Sequence, residues 1–249
     1  MIRLHRLRVA LLTSLVLLAS CIGFSPIGQD WSRATDPRLR HLCIVTGYGS
    51  GVTLARDRSG LWILTCAHLV EGDAEVTVYV RDEREDRWHR CPARVVLCAH
   101  RTKYDLALLL IEQPPPGEPF HLSLADPLPD GQRRDGADLL GAYNLERPLV
   151  HRAPLVGSDV FWGSGPDEFG AMTYMVTGAC MFGGILGANS GSPIFDGERL
   201  FGLHHVSPYH ARLDGEVVMG IGISDPRRIR TFLTGGRHEW LLGDDARDG

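Results

Sequence analysis

Past its first ten residues, the 249-residue chain has no run of lysine or arginine, and its formal net charge is −4. Nothing therefore points to nucleic acid as a partner. The chain also lacks a long hydrophobic run. Its one extended apolar stretch, "VALLTSLVLLAS", is too short to span a bilayer well. No internal repeat is strong enough to name. What remains is ordinary for a globular protein, with 44% hydrophobic and 22% charged residues. A chain of this length holds one large domain or two small ones.

The apolar stretch follows a basic start, "MIRLHRLR", and the pair reads as a secretory leader. It closes on "LASC", Leu18 to Cys21. This resembles the lipobox of bacterial lipoproteins, in which the cysteine is acylated and begins the mature chain. The resemblance implies a lipid on Cys21 and a bacterial cell-envelope location, anchored on a membrane. The alternative is an ordinary signal peptide cut nearby, with Cys21 incidental and the protein secreted.

Export places the chain in an oxidising compartment. There are six cysteines: Cys21, Cys43, Cys66, Cys91, Cys98 and Cys180. With Cys21 lipidated, five remain, and an odd number leaves at least one free thiol. Cys91 and Cys98 share one extended run, "CPARVVLC". Seven steps of roughly 3.3 Å put them beyond disulfide reach.

After residues 21–40, a polar stretch broken by Pro and Gly that reads as a tether, short β-rich runs alternate with turns. The first block holds "LCIVTGY", "GVTLAR", "LWILTCA", "EVTVYV", "ARVVLC" and "LALLLIE". A Pro-rich crossing near residues 113–137 separates it from a second block that begins near Leu139. That block holds "DLLGAYN", "PLVHRAPLV", "AMTYMVTG", "SPIFDG", "RLFGLHHV" and "EVVMGIGI". Runs of about five or six residues punctuated by turns are an all-β pattern. The expectation is two six-stranded antiparallel β-barrels with an active site in the cleft between them. One short helix should close the domain over "SDPRRIRTFLTGG", with Ser224 as N-cap, Pro226 in the first turn and Gly235 at the end. The domain then runs from 41 to 235, with 236–249 as a tail.

Three modest signals stand in a telling order. His68 closes the apolar run "ILTCAHLV", where a polar side chain needs a reason. Asp105 heads another apolar run in "KYDLALLLI", 37 residues later. Ser190 lies a further 85 residues on, in "GANSGSP". Alone, these could be a core histidine, a turn aspartate and a turn serine.

Together the three motifs resemble the trypsin-like serine protease superfamily, whose order is His, Asp, Ser. The likeness is strongest to glutamyl endopeptidases and to the protease domain of the Deg/HtrA type. "TCAHLV" is similar to that family's T-A-A-H, "YDLALL" to its D-[LI]-A-L-L, and "NSGSPIF" to its [DN]-S-G-[GS]-P. "GSGVTL" resembles the strand before the histidine motif, and "LFGLHHV" the substrate-pairing strand after the serine. The resemblance covers roughly Cys43 to Leu233. It implies that Ser190 attacks the scissile carbonyl, His68 takes its proton and Asp105 holds the imidazole. It places the oxyanion hole at the backbone N–H groups of Ser190 and Ala188. It implies a protein or peptide substrate and no cofactor.

Two departures are informative. Ala188 stands where the family has glycine, and a Cβ restricts that turn. Asn189 replaces the aspartate that switches on animal trypsin zymogens, and no Arg-Ile-Val-Gly-Gly start is present. Release from the precursor should then need only signal processing. By the same alignment, Gly184 and Ile185 lie at the base of the specificity pocket, with His204, His205 and Val206 along its wall. The base has no aspartate, so a Lys/Arg preference is not expected, and apolar or small residues are. His204 aligns with a histidine by which glutamyl endopeptidases read an acidic side chain, which makes glutamate the second expectation. His204, His205 and His210 fit no zinc spacing, and no metal is expected there. Within this chain no PDZ-like module is expected after the domain.

The leading function is thus an exported serine endopeptidase working through an acyl-enzyme. The alternative, favoured by Ala188, is a catalytically weakened fold that acts as a cell-envelope binding or scaffold protein. A protease cutting a single partner is a third reading.

Overall fold

The computed structural model describes residues 36–46, 49–82, 87–99, 104–129, 132–142, 148–158, 161–162, 172–176, 190–213 and 216–243. The first barrel contains β1 (Leu42–Val45), β2 (Gly49–Asp57), β3 (Gly60–Thr65), β4 (Glu75–Asp82), β5 (Arg87–Ala99) and β6 (Leu106–Ile111). They hydrogen-bond in the order β1-β4-β5-β6-β3-β2, and β1 pairs again with β2 to close the circuit. A two-residue strand, β7 (Phe120–His121), adds to β2.

The second barrel follows the crossing. It contains β8 (Arg133–Ala142), β9 (Pro148–Ser158), β11 (Met172–Val176), β12 (Pro193–Asp196), β13 (Arg199–Leu213) and β14 (Glu216–Ser224). Their order is β13-β12-β8-β9-β11-β14, closed by β13 on β14, with β10 (Phe161–Trp162) beside β13. All of these strand pairs are antiparallel. The fold is therefore the expected pair of six-stranded antiparallel barrels, with one short α-helix among the described residues, α1 (Pro226–Gly235).

Strand periodicity sorts the core. In β6, Ala107, Leu109 and Ile111 point into the first barrel with Val76, Val78 and Ile63. Leu106, Leu108 and Leu110 point the other way, into a cluster shared with Phe195, Leu203, Ile229 and Phe232 of the second half. Alternate residues face opposite sides of a sheet, so the all-apolar "LALLLI" is buried on both faces. β3 behaves alike, with Ile63 inside and Trp62 and Leu64 toward the shared cluster. β4 has one solvent-facing side and keeps strict alternation.

Three details differ from the sequence expectation. β8 begins at Arg133, six residues before Leu139. The turn-like "RRDG" is carried inside the strand by a register shift between Arg134 and Ala137, where Gly136 takes φ +85°. The helix is capped by Asp225, not Ser224: its Oδ1 accepts the Arg228 N–H at 3.0 Å. Ser224 still belongs to β14, and its hydroxyl donates to the Tyr104 carbonyl at 3.3 Å.

The segments flanking the barrels are packed on them. Leu39 lies in a 3-10 turn, Pro37–His41, and is buried in the shared cluster, as are Leu241 and Leu242. Arg38 bonds Asp36 and Asp138 and lies over the Phe195 ring. Cys43, Cys66 and Cys91 are buried free thiols, and Cys98 is an exposed one. Burial raises the thiol pKa of the three buried residues, so they behave as small core hydrophobes. Cys91 and Cys98 do lie along one strand, β5.

Candidate active site

β3 ends at Thr65, and the chain then makes one 3-10 turn, Ala67–Leu69. That turn presents His68 at the rim of the first barrel. Asp105 sits immediately before β6, in the left-handed region at φ +51°. β6 pairs with β3, so the two chain ends meet.

The Asp105 carboxylate accepts the His68 backbone N–H at 3.0 Å. It also accepts the ring Nδ1–H, with Oδ2 at 2.8 Å and Oδ1 at 3.1 Å. Asp105 is 1% exposed, whereas the His68 side chain is 28% exposed. A carboxylate acceptor fixes the ring proton on Nδ1 and leaves Nε2 with its lone pair. Aspartate tolerates the left-handed backbone better than most residues, and these bonds hold it there.

The serine turn is held from two sides, by β2 and by β13. The Ser190 carbonyl accepts the Ser50 N–H of β2 at 2.7 Å. The Ser50 carbonyl in turn accepts the Thr65 hydroxyl at 2.6 Å. Thr65 ends β3 three residues before His68, so the serine turn of the second half is linked through Ser50 to the strand that leads to the histidine. Gly191 takes φ +85° and donates its N–H to the His204 carbonyl at 2.7 Å. A Cβ on Gly191 would lie 1.9 Å from the Ser50 carbonyl oxygen and 2.8 Å from the Thr65 hydroxyl. Glycine is thus required twice, by backbone sign and by contact distance.

His204 is buried at 2% exposure on β13. Its N–H donates to the Ser192 carbonyl at 2.9 Å. The His204 carbonyl accepts Gly191 N–H and, at 3.4 Å, the Cys66 thiol. Desolvation, with the Asp105 charge second, pushes that thiol pKa well up. Cys66, His68 and Asp105 each offer a ligand atom, all within 4.8 Å of one another.

The backbone of the serine turn and of His204 is therefore bonded to β2 and to the Cys66 thiol beside His68 and Asp105, on the seam between the barrels. His205 and Val206 lie on β13, where strand placement alone is described. Gly184, Ile185, Ala188 and Cys21 lie outside the described residues. The sequence motifs gave no role to Ser50 and Thr65, whose part is played through a backbone carbonyl. A cavity of about 390 Å³ opens elsewhere, beside Arg40, His41, Arg56, Asp82 and Phe120, and contains none of the site residues. Arg56 there donates to the Pro115 carbonyl.

The trypsin-like peptidase domain family matches residues 49–203, and the chain belongs to that family. The match begins with β2 and ends one residue before His204, so it spans the histidine, aspartate and serine positions. Among solved structures, the chain is similar to the MamO protease domain from Magnetospirillum magneticum in its apo form. Identity there is 19%, the TM-score is 0.52, and the match covers 77% of this chain and 95% of that one. It is also similar to Rv3671c from M. tuberculosis H37Rv, in an inactive form carrying a serine-to-alanine mutation. That match has 16% identity and a TM-score of 0.53, and covers 84% and 96%. At such identities the likeness is one of fold. No curated protein matches the sequence.

Proposed function

We propose that the chain is an exported serine endopeptidase with His68, Asp105 and Ser190 as its triad. The observation that carries this reading is the buried Asp105 carboxylate on His68 Nδ1, on the same seam as the Ser190 turn. In this mechanism Ser190 Oγ attacks the scissile carbonyl carbon while His68 Nε2 takes its proton. The oxyanion is met by the N–H groups of Ser190 and Ala188. Collapse breaks the C–N bond, and His68 returns the proton to the leaving amine. Water, deprotonated by the same nitrogen, then hydrolyses the acyl-enzyme. Asp105 stays ionised throughout and stabilises the imidazolium.

The substrate is a protein or peptide. Gly184 and Ile185 supply a small, apolar pocket base in this reading, with His204, His205 and Val206 along the wall. Cleavage then follows apolar or small residues. The buried position of His204 beside the serine turn supports a second preference, for glutamate. A peptide-library profile tests both. Lys/Arg dominance contradicts the pocket assignment, and glutamate dominance that disappears in His204→Ala reverses the order of the two.

The lipobox-like "LASC" supports anchoring through Cys21 at the bacterial cell envelope. The alternative function, a weakened fold that binds rather than cleaves, rests on Ala188 in place of glycine.

A further inference from the structure

We propose that Cys66, His68 and Asp105 form an inhibitory site for a thiophilic divalent cation of the zinc class. The regulatory half of this inference rests on the protease reading above; the binding half does not. Cys66 stands at the second position of "TCAH", two residues before His68.

The donors are a thiol, an imidazole and a carboxylate, the set that zinc accepts. Their ligand atoms lie within 4.8 Å of one another. Zinc bonds of about 2.0–2.3 Å require tetrahedral ligand atoms roughly 3.5 Å apart. Shifts of about an ångström therefore bring all three onto one ion. The Cys66 thiol gives up a weak hydrogen bond, 3.4 Å to the His204 carbonyl. Entry is from the His68 side, where the ring is partly exposed. A water completes the fourth position.

The protons balance simply. The Cys66 thiol loses its proton to solvent as the S–metal bond forms. The ring proton moves from Nδ1 to Nε2, so that Nδ1 becomes the ligand, and Asp105 contributes an oxygen already charged. One proton is released per ion, and binding tightens as pH rises. With Nε2 protonated, His68 has no lone pair to take the proton of Ser190. The bound cation thus stops the reaction without touching the serine.

The test uses cobalt(II) as a spectroscopic stand-in for zinc, added to the purified full chain. The expected result is a thiolate-to-cobalt charge-transfer band that zinc abolishes. The band should vanish in Cys66→Ala and persist in Cys98→Ala, which removes the exposed thiol. His68→Ala, which keeps the thiol and loses the imidazole, should weaken cobalt binding at least about tenfold. Zinc should slow fluorophosphonate labelling of the wild type at least about tenfold and leave Cys66→Ala unaffected. Absence of the band, or a band that survives Cys66→Ala, overturns the site. A band without any fluorophosphonate labelling leaves the metal site standing and removes the protease reading. Labelling without a band removes the metal site alone.

Discussion

Ser50 of the first barrel donates its backbone N–H to the Ser190 carbonyl at 2.7 Å, and so ties the serine turn to the strand pair that carries His68. The bond joins residues 140 positions apart in the chain. It makes the position of the serine a property of both barrels, and it leads to tests on residues that do no chemistry themselves.

Gly191→Ala is expected to disable the turn. The positive φ alone costs roughly 1–3 kcal/mol for a non-glycine residue. The added Cβ would also collide with the Ser50 carbonyl oxygen at 1.9 Å. The Ser50–Ser190 bond must then break. Urea unfolding should show the loss of stability, and acylation by a fluorophosphonate should fall by more than that loss explains.

Thr65→Val keeps the shape and removes the hydroxyl that bonds the Ser50 carbonyl at 2.6 Å. Leaving that buried acceptor short of a donor should cost about 1–3 kcal/mol. Because the bond supports the turn rather than the substrate, kcat should fall more than KM rises. An unchanged kcat would show that Ser50 needs no support from Thr65.

His41 predicts an acid weakness. Burial, with the Arg40 charge second, lowers its imidazole pKa to about 4. The unfolded chain protonates near 6.5. Between those values the unfolded state binds the extra proton, so stability is complete above about 6.5 and is lost as pH falls toward 4. The loss amounts to roughly 3 kcal/mol. The ring also bonds the Thr53 hydroxyl at 3.1 Å and packs edge-on against Phe120. From pH 7 to 4 the melting temperature of the wild type should fall more steeply than that of His41→Leu. Parallel curves would contradict the assignment.

The proposed anchoring rests on Cys21. Metabolic labelling with a fatty-acid analogue should mark the wild-type chain and not Cys21→Ser, which should appear soluble or unprocessed. A wild-type chain that never takes the label is not a lipoprotein.

Much of this was legible in the sequence, for reasons of period and order. "LALLLI" and "LWILT" announced strands buried on both faces, and the His-Asp-Ser order located the residues on the seam. The misplaced features are those decided by backbone geometry. "RRDG" carries turn residues, yet a bulge at Gly136 absorbs them into β8. Ser224 and Asp225 are both good helix caps by type, and pairing of β14 through Ser224 leaves the task to Asp225. Thr65 and Ser50 gave no signal because one carbonyl oxygen joins them, and sequence patterns do not register carbonyls. Cys66 had no role in the sequence reading; the fold buries it beside His68 and Asp105.

The central claim is that Ser190 is an activated nucleophile, and fluorophosphonate labelling with mass mapping of the adduct tests it most directly. The account predicts one adduct, on Ser190, in the wild type. Labelling should be absent in Ser190→Ala and nearly absent in His68→Ala, since the two act as a unit. Ala188→Gly should label faster if the alanine strains the oxyanion turn. Resistance of both the wild type and Ala188→Gly from pH 6 to 9 would contradict the account and leave the chain a binding protein on a protease fold.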